Sequence, residues 1–76
     1  MQIHIKTLTG RRININLEDS DKIVQIKNLL QEKEGIERAQ IRLIFGGKQL
    51  KDNNSLKYYN LKPGSILHMV LQLRGG

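Results

Sequence analysis

The sequence ends in Arg74-Gly75-Gly76, and the Gly76 carboxylate is the group best placed to react. Two glycines carry no side chain, so nothing crowds that carbonyl carbon, and a Gly-Gly end can thread a narrow channel. The plain alternative is a frayed terminus, since glycines cost the most backbone entropy to order. Other side chains offer little chemistry. The chain has no cysteine, which removes disulfides, zinc–thiolate sites and a thiol nucleophile. His4 and His68 fall at outward positions of alternating stretches, with no acid or nucleophile at motif spacing. Glu18, Asp19 and Asp21 are close enough in sequence to hold a cation, but helix capping explains them more simply. Gly46-Gly47 is too short for a phosphate loop and no helix follows it. The chain is therefore expected to have no catalytic residue, no metal site and no cofactor of its own.

The bulk composition narrows the partners. A length of 76 residues makes one small domain, expected as 1–72 with a tail at 73–76. Thirteen Lys and Arg against seven Asp and Glu give a net charge of +6, which draws acidic partners. No basic run exceeds two residues, and one Phe and two Tyr leave little for bases to stack on, so nucleic acid is not expected as a partner. No stretch approaches the roughly 20 apolar residues of a membrane span, and the N-terminus lacks a signal pattern, so no membrane is expected. A cysteine-free chain is compatible with a cytoplasmic and nuclear location.

The elements that must position these groups follow from periodicity. Residues 1–7 alternate, with Met1, Ile3 and Ile5 on one face and Gln2, His4 and Lys6 on the other. Leu8-Thr9-Gly10 makes a turn, and Ile13, Ile15 and Leu17 alternate again to complete a hairpin. Ser20 or Asp21 suits a helix N-cap. The period then changes: Ile23, Ile26 and Leu30 mark the inner stripe of a helix near 22–34, with Lys27 among the residues assigned mostly to the other side and Gly35 as the stop. Ile41, Leu43 and Phe45 alternate into a Gly46-Gly47 turn and a short partner strand at 48–50. Residues 51–64 read as irregular, tied down by Leu56, Tyr59 and Leu61, with Pro63-Gly64 turning into a last strand from Ile66 to Leu73. One helix over a small sheet is an α+β arrangement. Its expected core is Ile3, Ile5, Ile13, Ile15, Leu17, Ile23, Ile26, Leu30, Ile41, Leu43, Leu50, Leu56, Leu61, Leu67 and Met69.

Parity then leaves residues outside. If Leu43 and Phe45 point inward, Ile44 points out; if Leu67 and Met69 point inward, His68 and Val70 point out; and Leu8 sits uncovered at a loop tip. Were these strands neighbours, the four would form an apolar partner-binding patch flanked by Arg42, Lys48, Lys6 and Gln49.

The segments Met1-Gln2-Ile3, Lys6-Thr7-Leu8-Thr9-Gly10, Lys33-Glu34-Gly35-Ile36, Arg42-Leu43-Ile44-Phe45, Gly47-Lys48-Gln49-Leu50, Tyr59-Asn60, Leu67-His68 and Leu73-Arg74-Gly75-Gly76 resemble the ubiquitin family along the whole chain. The resemblance implies the β-grasp fold, a mixed sheet packed on one helix, and a monomeric protein modifier that is not an enzyme. It implies conjugation at Gly76, with Gly75. An activating enzyme adenylates that carboxylate, conjugating and ligase enzymes carry it onward, and a lysine of a target receives it. Deconjugating proteases and ubiquitin-binding domains complete the implied partners. Leu8, Ile44, His68 and Val70 match the family's binding patch. Arg42, Gln72 and Arg74 match positions read by the activating enzyme. Lys6, Lys27, Lys33 and Lys48 match chain-acceptor positions, whereas Arg11, Leu29 and Pro63 replace three others.

Ubiquitin has arginine at the position of Gln72, and the Rub/Nedd branch has a small or neutral residue. A pocket built for a guanidinium loses its pairs when the charge is gone. Gln72, Lys22, Ile26-Lys27, Tyr58-Tyr59 and Gly64-Ser65 lean toward Rub/Nedd, whose implied targets are cullin scaffolds; Gln2, Gln31, Leu50 and Asn60 look like ubiquitin. The expectation is a Rub/Nedd-type modifier. The alternatives are a divergent ubiquitin that tags proteins for degradation or signalling, and a β-grasp binding domain that is never conjugated.

Overall fold

The computed structural model describes residues 1–72. The expectations placed on Arg74, Gly75, Gly76 and the tail at 73–76 lie outside the described residues. Strands β1 (Gln2–Lys6), β2 (Arg12–Asn16), β3 (Ile41–Phe45), β4 (Lys48–Gln49) and β5 (Ile66–Leu71) form one five-stranded sheet in the order β2-β1-β5-β3-β4. Helix α1 (Ile23–Glu34) is the one α-helix among the described residues, and short 3-10 turns occupy Arg38–Gln40 and Lys57–Tyr59. β1 runs antiparallel to β2 and parallel to β5, while β3 runs antiparallel to both β5 and β4. The sheet is thus mixed, and the fold is the expected α+β β-grasp.

Alternation in the sequence becomes two faces in the sheet. Ile3, Ile5, Ile13, Ile15, Ile41, Leu43, Leu67 and Met69 turn inward and are buried together with Ile23, Ile26 and Leu30 of α1. Leu17, Leu50, Leu56 and Leu61 complete the cluster, so the buried apolar set is the one expected from the sequence. Each such aliphatic side chain contributes about 1.5–3 kcal/mol on burial. Gly35 ends α1 at φ 69, where its N–H donates to the Gln31 carbonyl. Gly46 and Gly47 take φ 60 and 78, the paired positive values that a tight hairpin between β3 and β4 needs.

Two local expectations are corrected. Neither Ser20 nor Asp21 caps α1: Lys22 occupies the N-cap and no side chain accepts a bond there. The Asp21 carboxylate instead accepts the Glu18 N–H at 2.9 Å. The first helical amides, Ile23 and Val24, donate to the backbone carbonyls of Asn54 (2.9 Å) and Asp52 (3.2 Å). In return, Leu56 and Lys57 donate to the carbonyls of Asp21 and Asp19, both at 2.9 Å. The loop after β4 is therefore a backbone cap for the helix, satisfying donors that every helix start leaves open. Tyr59 holds this loop in shape, its hydroxyl accepting from the Lys51 N–H (2.8 Å) and the Asn54 side chain (3.0 Å). Burial pushes the Tyr59 phenol up, but those two bonds, with the charges of Lys48 and Lys51, outweigh it and leave the group below its ordinary value.

Lys27 also differs from its expected place, mostly on the outer side of the helix. Residues 23, 26, 27 and 30 share one helical stripe, and Lys27 is buried there at 4 % exposure. Its ammonium reaches the Asp52 carboxylate, which is about half exposed. The long stem thus packs in the core while the charge finds a partner at the core's margin.

Candidate functional site

The outer face of the sheet gathers the outward residues into rows. Ile44 on β3 lies opposite His68 on β5, and His68 lies opposite Lys6 on β1. Lys6 lies opposite Arg12 on β2, and Ile44 lies opposite Gln49 on β4. One row therefore crosses all five strands as Arg12, Lys6, His68, Ile44, Gln49. Val70 follows on β5, opposite Arg42. His68 is exposed, whereas Ile44 and Val70 are half-buried. Ile66, 40 % exposed, extends the apolar strip along β5 beside His4. Lys48 pairs in register with Phe45 rather than with Ile44, so it stands at the sheet margin and not in this row.

Leu8 takes a different place. It is 76 % exposed in the turn between β1 and β2, beyond the last residue of either strand. It lines a groove with Ile36, Met69 and Leu71, beside the Arg11–Glu34 ion pair at 2.7 Å. The sheet brings Ile44, His68 and Val70 together, and the turn sets Leu8 against this groove. Ile36 and Leu71 were missed as surface residues. Leu71 continues the inward parity of Leu67 and Met69 yet is 40 % exposed. Its alternation carried a signal for the face but none for where the cover stops.

Where β5 ends, Gln72 is held twice. Its N–H donates to the Gln40 carbonyl at 2.7 Å, and its side-chain oxygen accepts from Arg42 Nε. Arg42 and Gln72, two of the three positions expected to meet the activating enzyme, are thus in direct contact; Arg74 lies outside the described residues. Of the acceptor lysines, Lys6, Lys33 and Lys48 are exposed, and Lys27 is buried with its amine engaged. Among the described residues, no group of three His, Cys, Asp or Glu is placed to hold a metal ion, and no helix is long and apolar enough to cross a membrane.

A β-grasp domain with an apolar patch set among cations, its central strand leading to a Gly-Gly end, has the architecture of a ubiquitin-like modifier. The sequence matches the ubiquitin family over residues 3–74, and the chain belongs to that family. Over 76 residues it is 53% identical to the ubiquitin-like protein NEDD8 of Dictyostelium discoideum, covering 100% of this chain and 99% of that one. It is 50% identical to the NEDD8-like protein RUB3 of Arabidopsis thaliana, covering 100% of this chain and 97% of the relative. Identity is also 50% to the NEDD8-like protein RUB1 of Saccharomyces cerevisiae, with 100% and 99% covered. These full-length likenesses make the Rub/Nedd-type modifier the function class of the chain.

Proposed function

We propose that this chain is joined through Gly76 to lysines of target proteins, cullin scaffolds first among them, and acts as the substrate of its cascade and not as an enzyme. The reading rests on one observation above the rest: a chain similar over its full length to NEDD8-like proteins carries the neutral Gln72, held by Arg42, where the charge of an arginine would mark ubiquitin. In the first step the Gly76 carboxylate attacks the α-phosphorus of ATP and pyrophosphate leaves. A partner thiolate then attacks the acyl carbon and releases AMP. After exchange between partner thiols, the target amine displaces the last thiolate, loses its proton and forms the isopeptide. Every thiol in this cascade belongs to a partner, in keeping with a chain that has no cysteine.

Ile44, His68 and Val70 present the surface that partners read, and deconjugating proteases engage the same face to position the tail. The free protein is a monomer working in the cytoplasm and nucleus. The experiment is charging with ATP and a Rub/Nedd-activating or a ubiquitin-activating enzyme, read as a reducible thioester. Charging by the first alone is expected. Charging by the second alone would replace this reading with a divergent ubiquitin. Failure with both, from folded protein, would favour a binding domain that is never conjugated.

A further inference from the structure

None of the seven acidic residues lies in a strand. They occupy the turn before α1, the helix itself and the loops at Glu37 and Asp52. The outward positions of β1 and β2 are Gln2, His4, Lys6, Arg12, Asn14 and Asn16, so this half of the face holds only neutral and basic side chains. Among the described residues the ion pairs are Arg11–Glu34 and Lys27–Asp52, and neither involves Lys6, Arg12 or Arg42. Among the described residues, the three fixed cations of the outer face therefore have no carboxylate partner, in a molecule already at +6.

We propose that the β1–β2 half of the outer face, centred on Lys6 and Arg12, docks an acidic segment of a partner protein whose apolar side chains rest on Ile44, Ile66 and Val70. Charge complementarity sets the occupant: a cationic surface with no ion-pair partner among the described residues gains most from carboxylates. The register sets the spacing. Neighbouring strands lie about 5 Å apart, so Lys6 and Arg12 stand roughly 10 and 15 Å from Ile44 along the row. A partner has to present its carboxylates at those distances from its apolar anchors. Nucleic acid fits less well, because no Phe, Tyr or Trp stands among the outward strand residues to stack a base. The inference goes beyond conjugation and applies to the free chain, so failure of charging leaves it standing.

The test uses the whole chain and a fluorescein-labelled amphipathic peptide of leucine and glutamate, followed by anisotropy at low salt. Amide shifts in NMR locate the contact. Lys6→Glu with Arg12→Glu is expected to weaken binding by about tenfold or more, and the perturbed amides to include those of β1 and β2. Lys22→Glu with Lys33→Glu, on the helix side, makes the same change in net charge and is expected to alter binding less than about twofold. The exposed Lys6 and Arg12 leave the core intact, and an unchanged melting temperature verifies this. Equal weakening by both pairs would overturn the proposal, since only net charge would then matter. So would no binding by the unaltered chain, equal binding of the glutamine version of the peptide, or tighter binding of oligothymidylate on the same face.

Discussion

Leu43 and Ile44 are neighbours in β3, yet they belong to different parts of the molecule. Leu43 faces the helix and is fully buried, while Ile44 faces outward, half-buried between His68 and Gln49. The same holds along β1 and β5, where Ile3, Ile5, Leu67 and Met69 alternate with His4, Lys6, His68 and Val70. A strand's period of two thus lets one backbone serve two selections at once, stability on one side and recognition on the other. The inner face is apolar, mostly isoleucine and leucine; the outer face is basic and polar with an apolar strip. What the comparison teaches is that the outer face can change its charge with little cost to the core.

The largest effect should come from the inner face. Leu43→Ala is expected to lower stability by about 2–5 kcal/mol, read from urea unfolding, while Ile44→Ala one residue on costs less than about 1 kcal/mol. Comparable losses at both would erase the distinction between the faces. Next comes Asp52→Ala, which strips the buried Lys27 ammonium of its partner and is expected to cost about 3 kcal/mol. A neutral result would mean that Lys27 swings out to water when released.

Ile44→Ala should instead show its main effect in partner binding, with a weakening of about 1–2 kcal/mol by titration calorimetry and a near-normal melt. Gln72→Arg sharpens the same contrast at the sheet's edge. It restores a guanidinium beside Arg42 and is expected to let a ubiquitin-activating enzyme charge the chain, with thermal stability within about 0.5 kcal/mol of the parent. The smallest change is Arg11→Ala, which opens an ion pair whose arginine is 66% exposed and should cost about 0.2–1 kcal/mol, less in high salt.

Much of this was legible in the sequence because it depends on periodicity. The buried set of the strands and helix follows from counting twos and threes, Leu56 and Leu61 stand out as the apolar anchors of an otherwise polar loop, and Gly35 and Gly46-Gly47 announce the breaks between elements. The outward placing of Ile44, His68 and Val70 follows from the same count. Contacts between distant segments were not legible this way. The helix is capped by carbonyls of Asp52 and Asn54, about thirty residues later, and backbone groups leave no mark on residue type. Lys27 sits on the inner stripe, but a lysine reads as solvent-facing until its carboxylate partner is known. Leu8 lies in a turn, where strand parity has nothing to say.

The order of the sheet has a mechanical consequence. β5 is the last strand among the described residues and the middle strand of the sheet, flanked by parallel β1 and antiparallel β3. On the proposed conjugation through Gly76, the point of attachment follows the strand at the centre of the described sheet and not one at its edge. A pull on such a conjugate would be delivered along β5. Drawing that strand lengthwise shears the bonds to both neighbours at once, whereas an edge strand would peel away one bond at a time. The domain should resist traction along β5 more strongly than traction that peels an edge strand.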